Sequence, residues 1–160
     1  MRRIALALIF IAGFLETEAA AADLQWTIYR DSRFGCILDY PAALFSEKAV
    51  PLGKPRLFST RDGEAYFRVQ GVENGDRWSP QTIRNKYLSA SIPGDLTYDM
   101  TRSDFVVLSG HRGTNIFYTK VAVSSDRLAA CILEITYPRT QKTAFDRVVT
   151  RMSHSLRSAN

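Results

Sequence analysis

Two cysteines, Cys36 and Cys131, are the residues whose types and spacing point most directly to a covalent bond. Each belongs to a stretch of alternating apolar residues, 34–40 and 128–137, that is typical of a half-buried strand. Cysteine pairs in oxidising compartments tend to be bridged, whereas separate buried thiols behave as small apolar side chains. Because the N-terminal residues described below predict export to such a compartment, we predict a disulfide between Cys36 and Cys131, with two separate thiols as the alternative. A catalytic cysteine is not expected, because apolar burial raises the pKa of a thiol.

Ser109 and His111 form a second pair of reactive side chains, one on each side of Gly110. Residues 110–113, which include His111, are typical of a polar turn. Serine and histidine can supply the nucleophile and the general base of a hydrolase. However, Ser109 lacks the G-x-S-x-G elbow that places such a nucleophile between a strand and a helix. The other histidine, His154, falls near the end of the last predicted helix, where the helix dipole favours a cation. A hydrolase site at Ser109 and His111 is kept as an alternative.

Metal and cofactor chemistry has little support in the composition. The chain contains only two Cys and two His, too few for a Cys/His zinc cluster. It contains no calcium loop, P-loop or G-x-G-x-x-G motif. The carboxylates are scattered along the chain. The alternative that two of them meet in space and hydrolyse a glycoside stays open. We therefore predict no catalytic residue, no cofactor site and no metal site.

The first 22 residues have the layout of a secretory signal peptide. Arg2 and Arg3 precede an apolar run over residues 4–15, and small residues lead up to a cleavage site near Ala22. That run is shorter than the roughly 20 residues of a membrane-spanning helix, so we expect no transmembrane anchor in the mature chain. An uncleaved anchor is the alternative. The prediction is thus a signal peptide over residues 1–22, a single domain over residues 23–160, and a periplasmic or secreted protein.

Length and charge narrow the class further. A chain of 160 residues with 46% hydrophobic and 23% charged residues is typical of one globular domain. Its formal net charge is +5, and the basic residues are dispersed rather than clustered. For an exported protein this charge points to an acidic partner or an anionic envelope surface, and no nucleic acid is expected.

The periodicity predicts strands, then a helix, then strands and a final helix. The predicted strands cover residues 24–29, 34–40, 57–60, 65–72, 96–100, 105–109, 115–123 and 128–137. Ser79 and Pro80 begin the first helix, which is expected to end near Ser91, and the second begins at Thr140. Asp62-Gly63 predicts a type I′ hairpin turn. Short polar connections favour antiparallel neighbours, so we predict an α+β fold with an antiparallel sheet of about six to eight strands covered by helices.

Several of these features together resemble the Mog1/PsbP-like α/β/α sandwiches, and particularly small exported proteobacterial proteins of unknown function. The matching residues are Trp26, Tyr29, Phe34, Tyr40-Pro41, Asp62-Gly63, Tyr137-Pro138, Phe145-Asp146 and Ser153. The better-known members of that fold are non-enzymatic binding or assembly proteins. The resemblance implies a fold more than a function, because these motifs are structural.

We therefore expect an exported, non-catalytic binding or assembly domain of the bacterial envelope, with a protein or envelope component as its partner. One alternative is a small periplasmic hydrolase with its site near Ser109 and His111. Another is an inhibitor of an envelope-targeting enzyme, since the Ser109-Gly110 segment resembles that of some lysozyme inhibitors. The basic charge, however, fits poorly with a basic lysozyme.

Overall fold

The computed structural model describes residues 24–89 and 94–158. The predicted signal peptide (1–22), its cleavage site near Ala22 and the predicted helix end near Ser91 lie outside the described residues. None of the helices within the described ranges is long and apolar enough to cross a membrane.

Residues 24–89 and 94–158 fold into short and long antiparallel strands with two α-helices. The strands are β1 (Trp26–Asp31), β2 (Cys36–Pro41), β3 (Ser46–Lys48), β4 (Arg56–Ser59), β5 (Tyr66–Glu73), β6 (Asp95–Thr101), β7 (Phe105–Arg112), β8 (Asn115–Val123), β9 (Ala129–Pro138) and β10 (Arg157–Ser158). The helices are α1 (Pro80–Ser89) and α2 (Lys142–Ser155), and a 3₁₀ turn over Arg139–Gln141 precedes α2. The predicted α+β class is confirmed.

Two sheets carry the architecture. The larger has seven strands in the order β3-β4-β5-β9-β8-β7-β6, and the smaller has three in the order β1-β2-β10. All neighbouring strands run antiparallel. Helix α1 packs against β6, β7 and β8, and helix α2 packs against β2 and β9. The helices thus lie on opposite faces of the large sheet, as in a sandwich.

The alternation of β8 divides the core into two parts. Val121 packs with Ile83 of α1, whereas its neighbour Ala122 belongs to the larger core on the α2 side. Successive side chains of a strand point to opposite faces, so one strand serves both cores. In the larger core, the rings of Phe58 and Phe67 stack with their centroids 4.6 Å apart.

A disulfide between Cys36 and Cys131 connects the two sheets. The Cα atoms are 5.6 Å apart, and both residues are fully buried. The pairing that the sequence predicts is therefore present in the structure, and the alternative of two separate thiols is not.

Helix α1 begins at Pro80 as its sequence predicts, whereas the Thr140 start predicted for the second helix falls in the 3₁₀ turn and α2 begins at Lys142. Ser79 Oγ accepts a hydrogen bond from the Thr82 N–H at 3.2 Å, which is a helix N-cap. Trp78 packs beside Ile83 in the smaller core, the contact of a hydrophobic staple. The buried face of α2 carries the apolar residues Phe145, Val148, Val149 and Met152.

The predicted turn at residues 110–113 is wrong, because β7 continues through Arg112. His111 is therefore a strand residue, and the turn lies at residues 113–114. Gly110 is required by packing instead: a Cβ there would lie 2.0 Å from the Asp95 carbonyl oxygen of β6. The sequence pattern predicts a turn from Gly110, whereas the glycine is needed because β6 and β7 approach each other closely there.

Two smaller expectations are also corrected. Asp62-Gly63 does join a hairpin, but only Gly63 has a positive φ (76°), so the turn is not type I′. The short strands β3 and β10 fall where the sequence indicates a loop and the end of a helix.

Candidate functional site

The most prominent cavity of the described residues is a groove of about 700 Å³ between α2 and the strands β6, β7 and β8. We call it the open groove. From the sheet it is lined by Tyr98, Met100, Phe105, Val107, Tyr118 and Lys120. From α2 and the residues that follow it is lined by Val149, Thr150, Ser153, His154, Leu156 and Arg157.

Strand alternation and register place the sheet side of this groove. Met100 pairs with Val107, which pairs with Lys120 across the next strand boundary. Residues that oppose each other in register share a face of the sheet, so these three side chains form one row. A second row, through Ser109, connects Tyr98 with Tyr118.

Lys120 is the most unusual side chain of the open groove, since it is only 7% exposed. Its Nζ donates a hydrogen bond to the Ser153 carbonyl oxygen at 2.6 Å and lies 4.7 Å from the centre of the Phe105 ring. Burial lowers the pKa of Lys120, and the negative charge of Asp104 opposes this effect. Among the described residues, no carboxylate forms a salt bridge with Nζ. A buried cation without a paired anion is costly, and such groups concentrate at functional sites.

A hydrogen bond between Tyr118 and Ser153 holds the helix side of the groove against the sheet. Their hydroxyl oxygens are 2.5 Å apart. Burial raises the pKa of Tyr118, which the hydrogen bond to Ser153 partly offsets. Ser153 therefore contacts β8 twice, through its hydroxyl to Tyr118 and through its carbonyl to Lys120.

Ser109 and His111 lie on the same face but are not assembled into a catalytic pair. Ser109 Oγ donates to the Phe117 carbonyl oxygen at 2.7 Å. His111 makes no side-chain hydrogen bond with any described residue, and two positions along a strand separate it from Ser109 by roughly 6.6 Å at Cα. Neither residue is among those lining the open groove. His154, by contrast, lines it from the last turn of α2.

Two carboxylates, Asp62 and Asp126, shape turns. Asp62 accepts hydrogen bonds from Thr60 Oγ1 and the Glu64 N–H, and these bonds lower the pKa of Asp62. Asp126 accepts a hydrogen bond from the Leu128 N–H, and this bond is the main cause that lowers the pKa of Asp126. Within residues 24–89 and 94–158, no group of three or more His, Cys, Asp or Glu side chains is placed to hold a metal ion.

A second cleft, of about 550 Å³, lies between β1 and strands β4 and β5 and is lined by several arginines. Its acidic side chains already have partners within the protein. Glu47 pairs with Arg56, and the Asp31 carboxylate accepts the N–H groups of Arg33 at 2.8 Å and Gly71 at 3.2 Å. The contact between Asp31 and Gly71 connects the small sheet to the large one, and the other two contacts are local, so the acidic side chains of this cleft have structural roles.

Sequence inspection missed Lys120. The signal was present in β8, where Ile116, Tyr118, Lys120 and Ala122 alternate on one side of the strand. A lysine in register with core-facing residues is the pattern to search for, since lysine is almost never fully buried without a partner.

Comparison with known proteins identifies the fold. No protein-family profile matches the chain, and no curated protein matches it by sequence. It is similar in structure to the cyanobacterial PsbP (CyanoP) of Synechocystis sp. PCC 6803, with a TM-score of 0.62 and 13% identity over 90% of this chain and 98% of that one. It is also similar to the Saccharomyces cerevisiae Ran-binding protein Mog1p, with a TM-score of 0.53 and 9% identity over 82% and 94% of the two chains. The chain has a Mog1/PsbP-like fold, as the sequence motifs indicated.

Proposed function

We propose that this chain is an exported, non-catalytic binding or assembly domain of the bacterial envelope, and that it holds a protein partner in the open groove. The observation that carries the proposal is Lys120, a buried ammonium that lines the largest of the described clefts and has no carboxylate partner among the described residues. An unpaired buried charge is costly, and ionisable groups perturbed by burial in a cleft concentrate at functional sites.

The shape of the groove supports binding. Its volume of about 700 Å³ lies within the usual range for ligand sites. Tyr98, at its rim, is 46% exposed although its ring is large and apolar. Tyrosine is enriched at protein interfaces because it combines an apolar ring with a polar hydroxyl.

The fold and the disulfide support the rest of the proposal. A structural neighbour, Mog1p, is named as a Ran-binding protein, so the fold can serve protein recognition; its partner is not transferred to this chain. The bond between Cys36 and Cys131 suits an oxidising compartment, as does the signal layout of residues 1–22. Ser109 already donates its hydroxyl to a backbone carbonyl, which favours binding over hydrolysis.

Site-specific photo-crosslinking in an exporting bacterium tests the proposal. The full chain is produced with benzoylphenylalanine in place of Tyr98 or, as a control, in place of Leu52, which is fully exposed in a loop away from the groove. We expect a discrete protein adduct for position 98 and none for position 52, on a chain cleaved near Ala22. Equal adducts at both positions, or an unprocessed cytoplasmic chain, would contradict the proposal.

A further inference from the structure

We infer that the partner of the open groove presents a carboxylate, carried by an extended protein segment, and that Lys120 Nζ is the atom that binds it. The inference rests on the proposed function of the groove and adds the chemistry of its ligand.

The hydrogen bonding of Lys120 leaves room for an anion. An ammonium group has three N–H donors. One of them reaches the Ser153 carbonyl oxygen, and the face of the Phe105 ring lies on another side of the group. Neither contact supplies a negative charge. A carboxylate would add a charge-assisted hydrogen bond, which is among the stronger contacts available to a lysine.

The charges around Lys120 favour an anion over a cation. The open groove also contains a second cation, Arg157, whereas Asp104 is its one acidic side chain. Asp104 is exposed to solvent and forms no salt bridge with Lys120 among the described residues. Water screens an exposed charge more effectively than a buried one, so the buried ammonium dominates the local field.

The shape around Lys120 favours an extended segment over a compact acid. A neighbouring cleft of about 330 Å³ shares Asp104, Phe105, Lys120, Leu156 and Arg157 with the open groove. The two clefts therefore adjoin at these five residues, Lys120 among them. An extended chain can lie across both clefts and place a glutamate or aspartate side chain beside the ammonium.

A matched pair of peptides tests the inference on the exported, processed protein. One capped peptide has apolar residues around a central glutamate, and its counterpart has glutamine at that position. Binding is followed by NMR through the amide signals of the groove strands, with 3-phenylpropionate as a small-molecule arm. The same titrations are run on Lys120→Met and on the control Lys142→Met, which removes an exposed lysine outside the groove.

We expect the glutamate peptide to bind at least tenfold more tightly than the glutamine peptide, and also more tightly than 3-phenylpropionate. The advantage over the glutamine peptide should be lost in Lys120→Met and kept in Lys142→Met. Equal affinity for both peptides, no shift at millimolar peptide, or unchanged binding to Lys120→Met would overturn the inference. Tighter binding of 3-phenylpropionate than of the glutamate peptide would overturn the extended segment. If Lys120→Met does not fold, the peptide pair on the unmodified protein still decides. A crosslink at position 98 without carboxylate selectivity would leave the proposed function standing and remove only this inference.

Discussion

Cys36 and Cys131 join the middle strand of the small sheet to the middle strand of the large one. Cys36 lies on β2, between β1 and β10, and Cys131 lies on β9, the fourth of seven strands. The bond thus connects the centres of the two sheets rather than their margins. Because the small sheet has only three strands, its position depends on this bond and on packing against the larger core.

Removing the disulfide is expected to destabilise the domain. The two cysteines are separated by 95 positions, and the chain-entropy model assigns a closed loop of that size about 4–5 kcal/mol as an upper figure. Urea unfolding of C36A/C131A, compared with the oxidised protein, measures the loss. The reduced wild-type protein is the control and is expected to resemble the variant. A loss of unfolding free energy below about 1 kcal/mol would show that the bond contributes little. Separately, the intact mass of the exported protein should be two hydrogens lower than that of the reduced chain.

Gly71→Ala is expected to destabilise the junction between the sheets. A Cβ at this position would lie 2.5 Å from Phe34 Cβ and 2.6 Å from Asp31 Oδ2, so the neighbouring turn must move. Overpacking of this kind costs about 1–3 kcal/mol. Gly75→Ala is a matched control, since its nearest contact would be Glu73 Oε1 at 3.7 Å. Equal unfolding midpoints for the two variants would refute the steric explanation.

Much of the fold follows from sequence because alternation and capping are local signals. Strand β8 is an example: its apolar alternation gives the same bounds, 115–123, in the prediction and the structure. Turns are harder, because one glycine serves several purposes. Gly110 supports a close approach between strands and Gly63 a positive φ, and only the neighbouring strand distinguishes the two cases.

The candidate site was much less accessible to prediction. Ser109 and His111 have reactive side chains at suggestive spacing, yet neither lines the groove, and the Ser109 hydroxyl donates to a backbone carbonyl. Lys120 has a weak signal in sequence, its register with the core-facing residues of β8, and its burial under Phe105 and Ser153 is what makes it informative. These contacts are made across a strand boundary and across α2, which periodicity within a single segment does not encode.

Asp99 on β6 and Arg84 on α1 form an ion pair that predicts a dependence of stability on acid pH. Arg84 Nε donates to both carboxylate oxygens of Asp99 at 2.9 Å, and these hydrogen bonds hold the pKa of Asp99 below its usual range. The folded state therefore binds that proton less readily than the unfolded state, so the contribution is present above pH 3.8 and is lost as pH falls below it.

Asp99→Asn is therefore expected to lower the unfolding midpoint at pH 7 and to have a smaller effect near pH 3. Adding Arg84→Met completes a double-mutant cycle that isolates the pair. Asp95→Asn, on the same strand, controls for the change in net charge. A pH-independent effect of Asp99→Asn would count against the ion pair.

Ser109 is expected not to react as a serine-hydrolase nucleophile. Its hydroxyl donates to the Phe117 carbonyl, and no described side chain is hydrogen-bonded to Ser109 Oγ in a way that would remove its proton. A fluorophosphonate probe incubated with the processed protein should give no adduct, while a known serine hydrolase in the same tube is labelled. Labelling that disappears in Ser109→Ala would instead support the periplasmic hydrolase.

Tyr137 is expected to make the domain sensitive to alkali. Its ring is buried and stacks on Phe145 at 5.1 Å, and burial together with the nearby charge of Asp146 raises the pKa of Tyr137 from 10.0 to about 12. Between these pH values the folded state holds a proton that the unfolded state has lost. The contribution of Tyr137 is therefore complete below pH 10 and is lost as pH rises through about 12, by up to roughly 3 kcal/mol.

Chemical unfolding of the wild type and of Tyr137→Phe between pH 8 and pH 12 measures this effect, with tyrosinate absorbance as a second readout. The two proteins should have similar stability near pH 8, because a phenylalanine ring can keep the stacking on Phe145. Above pH 10 the variant should lose stability more slowly than the wild type. Some decline should remain in the variant, because burial also raises the pKa of Tyr118. Parallel declines in the two proteins would show that Tyr137 titrates as an ordinary tyrosine.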